Sequence, residues 1–183
     1  MNRFADGVWT AFRTDDSSRD SVRAALLSAS VGPDGTFYAG SAGDGMSLFQ
    51  DDGVTTYRED NSTLESAAGT SQFVVVRDVA VDDANAAWVL NVSSRPLHRF
   101  DGETWVGFPY PSGISPGTEA FRITLDALGQ KWLALGGSGL GVWDTGADPL
   151  SSADDRAVRF AGEGSNGVGL PNAEVRDVVR GAD

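Results

Sequence analysis

The chain contains no cysteine, one histidine and one lysine. Without thiols it can have no disulfide, no thiolate nucleophile and no cysteine-based metal site, although this leaves the compartment open. The histidine, His98, has no second histidine or cysteine to act with, which weakens a catalytic reading. No apolar run approaches the ~18 residues of a membrane-spanning helix. Positive charge is scarce: 14 Lys and Arg face 26 Asp and Glu, a formal net charge of −12. Nothing in that balance could replace the counterions of a phosphate backbone, so nucleic acid is not an expected partner. Two readings of the acidity stay open: a soluble surface from an arginine-favouring genome, or adaptation to high salt, where self-repulsion is screened.

At 183 residues and 40% hydrophobic composition, the chain is long enough for one domain with its own core. Its 23 glycines suit many tight turns. The opening Met1-Asn2-Arg3-Phe4-Ala5-Asp6-Gly7 carries no secretory signal. It matches His98-Arg99-Phe100-Asp101-Gly102 and so reads as the tail of a strand inside a repeat.

That repeat is the dominant pattern. Asp6-Gly7-Val8-Trp9-Thr10-Ala11-Phe12 returns as Asp52-Gly53-Val54-Thr55-Thr56-Tyr57 and again as Asp101-Gly102-Glu103-Thr104-Trp105-Val106-Gly107-Phe108. The Asp-Gly pairs stand 46 and 49 residues apart, a period that marks a copied supersecondary unit. The second copy is the clearest. Val74 to Val81 is β-branched and ends at the turn cluster Asp82-Asp83-Ala84-Asn85. Ala86 to Val92 follows as a second strand, Pro96 to Phe100 as a third, and Asp101-Gly102 turns into Thr104 to Tyr110. Four short strands joined by tight turns predict one antiparallel meander. The expected segments are 1–13 (the end of one unit), 22–58, 74–110 and 120–161 (successive units) and 174–183 (the start of another).

The Trp-x-x-Phe spacing turns the period into an architecture. Residues three apart on a strand point to opposite faces, so Trp9 and Phe12, like Trp105 and Phe108, belong to opposite faces of one sheet. Large rings on both faces require a neighbouring sheet on each side, which radially stacked blades supply. Burying each ring is worth ~2–3 kcal/mol. The expected fold is all-β: a β-propeller of four-stranded antiparallel blades, present as a partial ring of about three to four blades. The blade-packing positions are Trp9, Phe12, Tyr57, Trp88, Trp105, Phe108, Trp132, Trp143 and Phe160. A segment of a larger ring fits the count better than a closed four-bladed ring, and an open arc would expose two apolar faces.

Gly169-Leu170-Pro171-Asn172-Ala173-Glu174-Val175-Arg176-Asp177-Val178 resembles the opening of the two-component-regulator propeller repeat. That pattern runs Gly-Leu-Pro-x-Asn-x-Val, then an Asp-x-x-Gly turn, then a Trp strand. Leu125 to Trp132 is similar to its middle and Phe100 to Trp105 to its end. Gly40 to Gly45, Tyr57 with Asn61 to Leu64, and Gly139 to Gly146 resemble the propeller protein of the type IX secretion system more closely. The chain departs from the repeat at Asn91-Val92-Ser93-Ser94, where a Gly-Thr-x-x-Gly-Leu turn is usual. The resemblance implies an extracytoplasmic bacterial protein, in the periplasm, outer membrane or cell surface. Its role would be secretion accessory or ligand-sensing ectodomain, and its partner a protein or glycan ligand, or the remaining blades of its own chain. A looser resemblance to streptogramin-lyase propellers keeps a lyase or hydrolase reading open, with catalytic residues outside this segment.

No catalytic constellation, metal site or cofactor is expected. Gly136 to Gly141 imitates a phosphate loop, but a strand follows where such a loop needs a helix, so a blade turn is expected. His98 aligns with Phe49 and reads as a partly buried strand residue. The Asp pairs at 15–16, 51–52, 82–83 and 154–155 lack the alternating spacing of a calcium loop and read as turns. The longest loops, 59–72, 109–119 and 144–155, are where function concentrates in such folds. Arg58, Arg95 and Tyr110 at loop edges are the contact candidates.

Overall fold

Two turns of one design join the first two strands of the second and third blades. Asp82 Oδ1 accepts the N–H groups of Ala84 (3.0 Å) and Ala86 (2.8 Å), and its Oδ2 accepts the indole N–H of Trp88 (3.1 Å). Asp126 repeats this with Leu128 (2.9 Å), Gln130 (2.9 Å) and Trp132 (3.0 Å). Each carboxylate thus satisfies the turn's backbone donors and fixes the first large ring of the next strand. The tightest residue must take a left-handed conformation, and Asn85 (φ 63°) and Gly129 (φ 75°) do so. In the first copy Gly32 stands where the aspartate would be and Tyr38 where the tryptophan would be, so cap and capped ring are lost together. A Cβ at Gly32 would lie 3.0 Å from Asn85 Oδ1. That oxygen instead accepts the Asp34 N–H (3.0 Å), which ties two blades.

The computed structural model of the chain describes residues 2–5, 7–11, 25–50, 53–162 and 169–181. Strands β1 (Asn2–Ala5) and β2 (Val8–Ala11) form an antiparallel hairpin. The first blade is the meander β3 (Leu26–Val31), β4 (Phe37–Gly43), β5 (Met46–Gln50) and β6 (Gly53–Tyr57). The second is β7 (Val74–Val81), β8 (Ala87–Asn91), β9 (Leu97–Phe100) and β10 (Trp105–Phe108). The third is β11 (Arg122–Leu125), β12 (Lys131–Ala134), β13 (Leu140–Asp144) and β14 (Arg156–Phe160). The described residues contain no helix. This is a partial β-propeller.

Side-chain alternation in the second blade builds the two cores. Val79, Ala87, Val89 and Phe100 face the first blade, where they meet Tyr38, Met46 and Leu48. Trp88, Leu90 and Leu97 face the third, where they meet Ile123, Leu133 and Trp143. Every residue of β8 is therefore buried, as a strand covered on both sides must be. Trp105 stacks on Phe100 at 4.7 Å and packs on Tyr57 at 5.2 Å in the first core. Phe108 packs on Trp88 (5.9 Å) and Trp143 (5.6 Å) in the second. Three residues apart, the two rings serve opposite faces, and radial stacking follows.

The innermost strands latch to one another. Ser28, Asp78, Arg122 and Asp177 occupy equivalent repeat positions. Arg122 sits between two acids: Nη1 is 3.4 Å from Asp78 Oδ1 and Nε is 3.5 Å from Asp177 Oδ1. Asp78 Oδ2 also accepts the Ile123 N–H at 2.9 Å.

Some expectations need adjustment. Phe160 is 41% exposed, because β14 has no packed neighbour on that side among the described residues. Leu26, Leu27 and Val31 of β3 are exposed as well. Residues 174–179 form no strand, since only Val175 finds a ladder partner, Gly136. Phe12, the Trp9 side chain and the Asp pairs at 15–16 and 51–52 lie outside the described residues.

Candidate functional site

One face of the propeller carries the β4–β5, β8–β9 and β12–β13 hairpins together with the connections between blades. Neighbouring blades meet here through backbone pairing. Ala42 and Gly43 pair with Val75 and Val74, fusing the first two blades into one continuous sheet. Beyond the third blade, Gly136 and Val175 exchange N–H···O bonds of 2.9 and 3.0 Å.

The junction between the second and third blades is built differently. Val92 and Glu119, the repeat equivalents of Ala42 and Val75, stand on the wall of a pocket of about 340 Å³. Val92, Pro96, Tyr110 and Ala120 give it an apolar interior, while Arg77 and Glu119 form an ion pair on its wall. The sequence explains the gap. Where the other copies close with Ser41-Ala42-Gly43 and Leu135-Gly136-Gly137, the second has Asn91-Val92-Ser93, and the connection 109–121 is held away by its own turns. Asn91 is buried and fully used: Oδ1 accepts the Glu65 N–H (2.8 Å), and Nδ2 donates to the carbonyls of Glu65 (3.1 Å) and Val75 (3.0 Å). It pins the 58–73 connection over the second blade.

Charge and aromatic contacts border the pocket. The Arg77 guanidinium lies 5.1 Å from the Phe121 ring centroid, and Arg176 lies 4.8 Å from the same ring. Leu27, Arg77, Phe121 and Arg176 are repeat equivalents, and the last three set a ring between two cations. Burial, reinforced by the Glu119 carboxylate, raises the Tyr110 phenol well above its ordinary value, against the opposing influence of the Ala120 backbone N–H. Tyr110 is therefore a neutral hydrogen-bonding group at any physiological pH.

The three contact candidates all fall on this face. Tyr110 lines the pocket. Arg95, in the β8–β9 hairpin, has its Nε 3.9 Å from Glu65 Oε1. Arg58 lies one junction away, with Nη2 3.2 Å from Asp44 Oδ1. The structure thus does not gather them at one point. Arg77 and Glu119 are absent from the sequence candidates, and Asn91 enters there only as the start of the departure from the repeat. Aligning inner strands across copies would have marked the first two.

His98 is fully buried, deeper than expected, with Nδ1 2.9 Å from Thr63 Oγ1. Its ring packs where a Cβ on Gly107 would lie, 3.1 Å away. Desolvation holds it neutral, with its pKa lowered to about 4. It cannot reach a substrate in this arrangement. In the Gly136 to Gly141 segment, Gly136 pairs with Val175 and β13 follows directly. Among the described residues no cluster of His, Asp and Glu is placed to hold a metal ion. No helix there is long and apolar enough to cross a membrane, which says nothing of a β-barrel. A second pocket, about 490 Å³, lies between β10 and the third blade, but two of its groups are committed to each other: the Trp143 indole donates to Asp155 Oδ2 at 3.0 Å.

No protein-family model matches the chain, and no curated protein matches it in sequence. Solved structures do match. The chain is similar to PorZ, an essential bacterial surface component of the type IX secretion system of Porphyromonas gingivalis, at 20% identity and a TM-score of 0.65, over 80% of this chain and 21% of that one. It is similar to a streptogramin B lyase at 15% identity and a TM-score of 0.56, over 85% of this chain and 43% of that one. A catalytically inactive virginiamycin B lyase from Staphylococcus aureus, solved with quinupristin, matches at 15% identity and a TM-score of 0.57, over 81% and 45%. The chain spans about a fifth of the first and less than half of each lyase. At these identities the likeness establishes the fold.

Proposed function

We propose that this chain is a non-enzymatic recognition segment of an extracytoplasmic bacterial protein, and that the pocket between its second and third blades receives the ligand. One observation carries the reading. The backbone pairing that closes the flanking junctions at Ala42–Val75 and Gly136–Val175 is replaced here by a cavity, with an ion pair and a neutral phenol on its wall. Its volume falls within the range of small-ligand sites. Loops on a rigid scaffold are where propeller-like folds carry binding. The similarity to a surface component of the type IX secretion system favours a surface or periplasmic setting and a secretion-accessory role over a sensor ectodomain. The lyase reading lacks support from the one histidine, which is buried against Thr63. The ligand is a protein or glycan.

The test is to probe the chain against peptide and glycan arrays, beside a Ser93→Trp variant that fills the pocket. Binding by the wild-type chain that Ser93→Trp abolishes, at an unchanged melting temperature, is the expected outcome. Binding that is indifferent to the variant would move the site elsewhere. Turnover of an arrayed compound would reinstate the enzyme.

A further inference from the structure

We infer that the pocket between the second and third blades takes an extended peptide, which pairs through its backbone with Val92-Ser93 on one side and Thr118-Glu119 on the other. The inference rests on the recognition reading above and names the ligand class. The flanking junctions show what this position is built to hold. At Ala42–Val75 and at Gly136–Val175, one main chain hydrogen-bonds another across the gap between blades. Between the second and third blades the residues that correspond to these pairs, Val92 opposite Glu119 and Ala120, stand apart, and the N–H groups of Ser93 and Glu119 make no hydrogen bond among the described residues. An inserted strand would restore to both sides the pairing that the neighbouring junctions have. Strand addition of this kind draws affinity from main-chain bonds and specificity from pockets for alternate side chains.

The pocket's chemistry constrains the sequence of that peptide. Val92, Pro96, Tyr110 and Ala120 offer room for one aliphatic side chain pointing inward. Arg77 and Glu119 already neutralise each other, so no unpaired charge asks for a counter-charge inside. The chain as a whole has a formal net charge of −12, which repels acidic peptides and favours basic ones during approach. The occupant is therefore a neutral-to-basic extended segment with an aliphatic residue at its centre. A glycan fits less well: the Phe121 ring is flanked by two guanidinium groups, which compete with the stacking that sugars use.

The test begins with a phage-displayed library of random pentapeptides selected on the whole chain. The best sequence is then synthesised with free amides and with N-methylation at alternate residues. The expected result is selection of basic or neutral sequences with a central aliphatic residue. Binding should slow amide exchange at Ser93 and Glu119, and alternate N-methylation should weaken affinity at least tenfold. If a selected peptide binds at the pocket but N-methylation leaves its affinity unchanged, strand addition is overturned while recognition survives. If no peptide binds but an arrayed oligosaccharide perturbs the amides of Val92 and Glu119, the peptide is overturned and the site is retained. If neither class perturbs those residues, the inference and the recognition reading both fall.

Discussion

The ammonium of Lys131 stands 4.0 Å from the ring centroid of Trp88, and it donates a 2.7 Å hydrogen bond to Thr145 Oγ1. The Trp143 ring lies on another side, at 5.9 Å. Each of these indoles gives its N–H to a carboxylate, Trp88 to Asp82 and Trp143 to Asp155. Such donation makes the ring faces more electron-rich, which strengthens their attraction for a cation. The chain's single lysine, 4% exposed, is thus part of the interior of the propeller.

That burial gives the protein an unusual alkaline profile. Desolvation lowers the Lys131 pKa to about 8, against the opposing pull of Asp82, Asp144 and Asp155. Between that value and the unfolded lysine's ordinary one, the unfolded chain holds a proton that the native chain has released, so stability rises with pH, by up to about 3 kcal/mol. Tyr38, Tyr57 and Tyr110 have raised pKa values through burial, so they resist ionisation in the native state and reverse the trend above pH ~10. Urea midpoints should climb from pH 8, turn over near pH 10, and lose the climb in Lys131→Met. A flat wild-type curve over that range would refute the buried ammonium.

Much of this architecture could be read from residue spacing, and the pocket could not. Trp105 and Phe108 carry the fold because alternation along a strand is a local property. Two large rings on opposite faces admit few packings. Lys131 defeats the same logic, since a charged residue in a strand reads as solvent-facing until two tryptophans from different strands are seen around it. Asn91 showed itself as a departure from the repeat, but its three hydrogen bonds reach Glu65 and Val75 across the chain, and no local pattern encodes them. The pocket is least legible of all. It arises from backbone pairing that two junctions make and a third lacks, and no residue type announces that.

The capped turns predict a graded series. Removing the Asp126 carboxylate leaves two backbone N–H groups and the Trp132 indole without their acceptor, so Asp126→Ala should cost about 2–3 kcal/mol. Asp82→Ala should match it for the same reason. Among the described residues Asp34 accepts only the Thr36 N–H, and Asp34→Ala should cost about 1 kcal/mol or less. Chemical denaturation of the three variants checks the order, and equal losses would show that the additional backbone and indole bonds contribute nothing.

The latch between inner strands predicts an asymmetry between its partners. Asp78 is buried, and desolvation raises its pKa in spite of Arg122 and the Ile123 N–H. Asp78→Ala strands a buried N–H and should destabilise by about 2–4 kcal/mol. Arg122 is 41% exposed on its side chain, so water screens its share, and Arg122→Met should cost about 1 kcal/mol. A larger loss from Arg122→Met than from Asp78→Ala would mean that the ion pairs, rather than the backbone bond, join the blades.

His98 sets the acid limit. Its imidazole is buried beside Thr63 with Glu65 and Arg95 nearby, and desolvation lowers its pKa to about 4 from an ordinary 6.5. Within that window the unfolded histidine is protonated and the native one is not, so stability is complete above pH 6.5 and falls as pH drops through about 4, by about 3 kcal/mol in total. Carboxylates with lowered pKa values, among them Asp101 and Asp126, add their own loss only below their ordinary values, so the first part of the acid decline belongs to the histidine. His98→Leu keeps most of the ring's volume and removes its titration. The variant should lose some stability at pH 7 through the unpaired Thr63 hydroxyl, yet show a flat profile from pH 6.5 to 5 where the wild type declines. Melting temperatures across that interval decide the matter: parallel slopes for the two proteins would mean that the imidazole is solvated and that the packing of Gly107 against it is looser than 3.1 Å implies.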